Sequence, residues 1–200
     1  MTLHNLCHDL SACRRCADAG HFIGSAPIFT LNAGAIFMTV GQAPGRQEAE
    51  VTHKPFSGPA GKRLFRWLAQ AGFDAVNFRA TQAMTAITKC YPGPHPAGRG
   101  DRVPSRAEQA LCAPWLEQEL ALINPKVLIP IGGLAISRFL GNGQAMTGLI
   151  GERFERDGRI LVPLPHPSGA SQWFNVPENK ARLARALEIL AELRTELLRR

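Results

Sequence analysis

Apolar residues follow two rhythms along this chain. Four short runs are almost continuously apolar, at residues 35–40, 83–88, 127–131 and 160–164, as expected of strands covered on both faces of a parallel sheet. Between them lie stretches with helical spacing, at 59–71, 105–122, 133–140 and 177–198. In the last, Leu183, Leu187, Leu190, Leu193 and Leu197 form one stripe while Arg182, Arg185, Glu192 and Arg199 fall elsewhere, which predicts a core face and a solvated one. Ser105, with Glu108 three residues on, is a capping-box signature for a helix start. A short amphipathic segment with Leu3, Leu6 and Leu10 opens the chain. Strands alternating with helices predict an α/β fold: one domain over residues 1–200, three-layered α/β/α around a central, mainly parallel, four-stranded sheet. The ligand crevice of such a sheet lies at the strand C-termini. The Pro- and Gly-rich stretch at 91–104 is the one long irregular segment and is predicted to be a surface loop.

Two strand-like runs end in loops of unusual make-up. Residues 35–40 lead into Gly41-Gln42-Ala43-Pro44-Gly45, and 160–164 into His166-Pro167-Ser168-Gly169-Ala170-Ser171. Glycine lets backbone approach a ligand closely, proline stiffens the loop, and a histidine N–H can donate to developing negative charge. Together they predict a site for a substrate that becomes anionic during reaction. Lysine and arginine outnumber aspartate and glutamate by 23 to 16, a formal charge of +7, which favours a polyanionic partner such as nucleic acid. No apolar run reaches the roughly 18 residues of a membrane span, so no membrane partner is expected. Residues 1–10 carry histidines and Asp9 where a secretory signal needs a continuous apolar stretch, so the expected location is cytoplasmic.

That location changes the reading of the five cysteines, because a reducing compartment disfavours a disulfide framework and makes metal the better candidate. Cys13 and Cys16 form a C-x-x-C pair, and Cys90 and Cys112 are the natural second pair. Four thiolates suit either a [4Fe-4S] cluster or a structural zinc ion. Cys7 is left over as a free thiol.

Several motifs in order now carry a resemblance: Gly41-Gln42-Ala43-Pro44-Gly45, then Lys54-Pro55-Phe56-Ser57-Gly58-Pro59-Ala60-Gly61 entering a helix, then Lys89-Cys90, Cys112, Pro125-Lys126-Val127 and His166-Pro167-Ser168. The chain resembles the uracil-DNA glycosylase superfamily, and within it the iron–sulfur branch called family 4, over about residues 10–190. The resemblance implies a monomeric repair enzyme that flips uracil out of DNA and hydrolyses its N-glycosidic bond. It favours iron over zinc, with Cys13, Cys16, Cys90 and Cys112 holding a structural [4Fe-4S] cluster. It implies that His166 donates to the pyrimidine O2 as charge develops, that Phe56 stacks on the flipped base, and that Gln42 and Ala43 contact base and water through their backbone. Ser57, Ser168 and Ser171, with nearby N–H groups, would grip phosphates, and Lys62, Arg63 and Arg66 would extend that grip.

The chain departs from the family pattern in four places. Gln42 stands where family 4 usually has glutamate, and an amide orients a water but cannot take its proton; Glu48 is the nearest carboxylate and the candidate to activate it. Ala86 stands where an asparagine generally reads the uracil edge, which predicts broadened base choice, extending to other deaminated bases, unless Thr85 or Thr88 substitutes. The segment between Cys90 and Cys112 is lengthened by residues 93–100. Ala170 replaces the bulky leucine that other members push into the duplex, leaving Gln172, Trp173 or Phe174 as the candidate wedge. These departures keep an alternative in view: a catalytically weak member that binds or covalently traps a lesion. A small-molecule α/β enzyme using His166 at a generic anion site is a third reading, against which the four cysteines and the basic charge count.

Overall fold

A computed structural model describes residues 1–98, 100–141, 145–168 and 172–198. Helices α1 (Leu3–Ser11) and α2 (Arg15–Asp18) precede strand β1 (Phe37–Gly41), a π-helical turn (Glu48–Thr52), and helices α3 (Pro59–Gln70) and α4 (Ala75–Thr81). Strand β2 (Ala83–Ala86), helix α5 (Arg106–Ile123), strand β3 (Val127–Pro130), and helices α6 (Gly133–Leu140) and α7 (Met146–Leu149) follow. Strands β4 (Phe154–Arg156) and β5 (Arg159–Leu161), a 3₁₀ turn (Gln172–Asn175) and helix α8 (Pro177–Leu198) complete the described residues. Among these, no helix is long and apolar enough to cross a membrane.

The sheet runs β2-β1-β3-β5-β4. Its first four strands are mutually parallel, and β4 adds an antiparallel edge to β5. The four expected strands are present, each shorter than or offset from its apolar run, and the fifth is an addition. Strand β4 spans three residues with no buried side chain, so it leaves no periodic signal. Its turn, however, is Asp157-Gly158 with both φ positive, at 50° and 72°, the Asp-Gly chemistry of a tight hairpin.

Every residue of β1 is buried, as are those of β2 and β3. One face of the sheet packs Phe37, Ile129 and Val162 against Leu64 and Leu68 of α3, Phe78 of α4 and Leu187, Leu190 and Leu193 of α8. The other packs Met38, Val40 and Leu128 against Leu116 of α5 and Ala135 of α6. The expected leucine stripe of α8 therefore is core. Helix α1 docks on α5 through Leu6, Leu10 and Trp115, with Cys112 in the same cluster. The capping box forms as expected: Glu108 N donates to Ser105 Oγ at 3.2 Å and Ser105 N to Glu108 Oε2 at 2.7 Å.

The segment at 91–104 departs from a simple surface loop. Its tip is exposed, but Tyr91, Pro92, Gly93 and Pro104 are buried, and the backbone closes into a small hairpin with Pro94 opposite Asp101.

Candidate active site

Both glycine- and proline-rich loops leave the sheet at the same edge, and between them lies a cavity of about 740 Å³. Gln42, Ala43, Glu48, Phe56, Ala86, His166 and Ser168 all line it. Ser57 and Lys62 do not, and Ser171 lies outside the described residues.

Phe56 is set by a chain of close fits. Its φ is 50°, a left-handed backbone that a bulky residue adopts only when its surroundings compel it. A side chain at Gly61 would collide with the Phe56 carbonyl, and one at Gly41 would stand 3.0 Å from the ring's Cζ. Arg79 completes the hold, donating to Pro55 O at 2.8 Å and Phe56 O at 2.6 Å while its guanidinium lies 4.2 Å from the Phe65 ring centre. The ring is thereby half-buried, over the end of β1, with a face to the cavity.

His166 rests on Gly132, where a Cβ would come within 3.1 Å of the imidazole Cδ2. Gly132 also has φ of 81°, so glycine is required there twice over. The ring is open to the cavity, yet surrounding protein atoms disfavour its charge and hold its pKa below the ordinary histidine value, the Asp101 carboxylate pulling the other way. At neutral pH it is a neutral imidazole with one N–H to donate.

Glu48 is buried on the π-helical turn. Its Oε1 accepts from Ser57 N at 2.9 Å and Gly58 N at 2.8 Å, at the N-terminus of α3, where backbone donors lack helical partners. One oxygen of the candidate water activator is therefore committed to building the Phe56 loop. The Ser57 hydroxyl is engaged locally as well: it donates to Lys54 O at 2.7 Å and shares a hydrogen bond with the Thr52 hydroxyl. Ser168 is half-buried, and its carbonyl accepts from Arg63 Nη1 at 3.0 Å. Lys62, next to Arg63 on α3, is exposed, as is Arg66.

Ala86, the last residue of β2, is buried beside Gly41. Of the two threonines, Thr85 also lines this cavity, its hydroxyl donating to Glu119 Oε1 at 3.2 Å, whereas Thr88 lines a different one. Beneath Ala86 lies an ion pair the sequence did not announce. Lys89 Nζ donates to Ala86 O at 2.6 Å and stands 3.0 Å from Glu119 Oε2, both side chains being almost fully buried. An acid among Leu116, Leu120 and Ile123 was the available signal for Glu119. Of the candidate wedge residues, Phe174 packs on Trp67 with ring centres 5.5 Å apart and Trp173 packs on Phe174 at 5.2 Å, while the Gln172 side chain lies outside what the structure describes.

Cys13, Cys16, Cys90 and Cys112 together line a second cavity of about 580 Å³, between α1, α5 and the segment after β2. Trp115 Nε1 donates to Cys13 Sγ at 3.1 Å. Burial pushes the Cys90 thiol up to about 12 and the Cys16 thiol to about 11, with the other cysteines of the cavity adding to each. Thiolates in such a place need a positive centre among them. Among the described residues no three His, Cys, Asp or Glu side chains are grouped closely enough for a single metal ion. A cubane cluster takes one cysteine at each iron corner, so its ligands stand farther apart than those of one ion.

The C-terminal edge of the sheet thus brings a histidine loop, a glycine loop and a held aromatic ring around one cavity. The family model of the uracil DNA glycosylase superfamily matches residues 29–191, and the chain belongs to that superfamily. It is 31% identical over 131 residues to a type-4 uracil-DNA glycosylase of Thermotoga maritima, covering 64% of this chain and 62% of that one. It is 32% identical over 123 residues to the type-4 enzyme of Pyrobaculum aerophilum, covering 62% and 54%. A DNA polymerase of Bacillus phage SP01 is 31% identical over 140 residues, covering 70% of this chain and 14% of the polymerase. The chain thus spans less than two thirds of the length of the two type-4 relatives.

Proposed function

We propose that the protein is a monofunctional DNA N-glycosylase that excises uracil, leaving an abasic site. The observation that carries this reading is the single cavity in which His166, Phe56 and the Gln42-Ala43 backbone face one another. A flipped pyrimidine stacks on Phe56, held at its edge by the first loop. As the bond to the sugar breaks, negative charge gathers on the base, and the His166 N–H donates to it; a neutral donor suits an anion that must later take up a proton. Ala86 offers no side-chain amide to the base edge, so the pocket admits other deaminated bases more readily than one with asparagine there.

The chemistry of the donor set supports a [4Fe-4S] cluster on Cys13, Cys16, Cys90 and Cys112, a group that supplies a structural crosslink between α1–α2, the end of β2 and α5. DNA lies across the cavity mouth, its phosphates meeting Lys62, Arg66 and the backbone N–H groups of the two loops, with Ser168 and Ser171 in the second. The protein acts as a monomer in the cytoplasm, a compartment that keeps cysteines reduced and available to a cluster.

The test is a gel assay with an end-labelled oligonucleotide carrying one uracil. The proposal expects an alkali-labile break at the uracil and free base in solution. An intact strand, or a stable protein–DNA adduct without turnover, overturns it, the adduct pointing to a lesion-trapping protein instead.

A further inference from the structure

The hairpin at 91–104 is held at both ends. Tyr91 is buried, its ring so close to Gly24 that a Cβ there would stand 2.6 Å from Cδ1, and Gly24 N donates to Tyr91 O at 2.9 Å. At the other end Arg102 donates to both oxygens of Glu108, at 2.6 and 2.7 Å. Between them Arg102 N bonds Gly93 O at 3.0 Å and His95 N bonds Gly100 O at 2.9 Å. The result is to fix Asp101 in the wall of the active-site cavity. Asp101 Oδ2 and Glu48 Oε2 both approach Gly45, at 3.0 and 2.9 Å from the position its Cβ would take, so the two carboxylates meet at this point of the cavity wall. Burial, with the Asp101 carboxylate adding to it, pushes the Tyr91 hydroxyl up to about 12. Arg46 and His166 line the same cavity as Asp101, and its charge acts to raise the pKa of each.

Resting on the glycosylase reading, we propose that Asp101 is the catalytic base that takes the proton of the attacking water. Gln42, at the loop position of the family's usual acid, has no basic oxygen able to hold a proton at neutral pH. Glu48 has one oxygen saturated by two backbone donors. Asp101 brings a second carboxylate to the cavity wall. In the step, the bond between the base nitrogen and the sugar C1′ breaks and its electron pair leaves with the base. The water oxygen bonds to C1′ while one water proton passes to Asp101. Asp101 then releases that proton to solvent, and the base anion takes one up from solvent, so water is divided between sugar and base. The negative charge of Asp101 also favours the cationic sugar that precedes attack. The extra residues at 93–100 are thus the means by which this chain returns a carboxylate to a site whose first loop lacks one.

The experiment compares wild type, Asp101→Asn and Asp101→Glu in single-turnover cleavage of uracil-containing DNA. Asp101 is exposed, so the isosteric asparagine should leave folding and DNA affinity in place. The expected rate loss is about 10²-fold for Asn, with Glu recovering part of it. A second readout is binding to DNA carrying a cationic pyrrolidine in place of the target sugar, against neutral tetrahydrofuran. Wild type should prefer the cation, and Asp101→Asn should lose about tenfold of that preference. Cleavage by Asp101→Asn within about threefold of wild type, with the cation preference intact, overturns the role of Asp101 and leaves the glycosylase reading standing. A wild type that leaves uracil-DNA intact overturns the glycosylase reading and this role with it.

Discussion

Removing the Arg102–Glu108 clamp should destabilise the protein by an amount the structure allows one to work out. The Glu108 side chain is almost fully buried, its two oxygens taken by the Arg102 guanidinium and the Ser105 N–H. Arg102, more than any other group, draws its carboxyl from 4.5 down to about 2. That depression corresponds to about 3 kcal/mol favouring the ionised form in the folded state. The sign is that of a depressed acid: the contribution is complete above pH 4.5 and is lost as pH falls toward about 2. Glu108→Gln at pH 7 should therefore lower stability by about 3 kcal/mol, a fall in Tm of roughly 6–12 °C for a chain of this size. Calorimetry of wild type, Glu108→Gln, Arg102→Ala and the double variant measures it, and the double variant should cost little more than either single one. A loss below about 1 kcal/mol, or additive losses, would refute the reasoning, because both would mean that solvent already satisfies these charges. Since the same clamp anchors the hairpin, the two single variants should also lose cleavage rate.

Gly61→Ala should cost more than about 2 kcal/mol in chemical denaturation, since its methyl must displace the Phe56 backbone; a silent substitution would mean that the Phe56 loop is free to move. Ala86→Asn should narrow base choice, read as the ratio of single-turnover rates on uracil and hypoxanthine, and an unchanged ratio would show that the base edge is read elsewhere. Cys13→Ser and Cys112→Ser should each remove iron and sulfide from the purified protein and lower its Tm, whereas one zinc and no iron in the wild type would reassign the second cavity.

The parts of this fold that were legible in the sequence are those governed by burial. Strands covered on both faces must be apolar, and α8 must keep its leucines on one side, so both patterns show at once. Strand β4 escaped because three residues at an exposed edge carry no pattern, although Asp157-Gly158 marked its turn. The site was legible where backbone constraint dictates residue type, as at Gly41, Gly61 and the prolines beside Phe56 and His166. What long-range contact decides stayed hidden. Arg79 reaches the Phe56 carbonyl across 23 positions, and Lys89 pairs with Glu119 across α5. Asp101 stayed hidden for the same reason, because the hydrogen bond from Arg102 N to Gly93 O that closes its hairpin is a property of the folded chain. The bond from the Ser57 hydroxyl to Lys54 O, within its own turn, was likewise not visible in the motif.

The account stands on His166 as the donor to the departing base, and one measurement addresses it most directly: the single-turnover rate of uracil release by His166→Ala relative to wild type, at pH 7.5, with DNA affinity measured alongside. The loss of one donor aimed at a developing anion predicts a rate lower by roughly 10²–10³-fold with DNA affinity little changed. A near-normal rate, or a loss that is entirely one of DNA affinity, would contradict it.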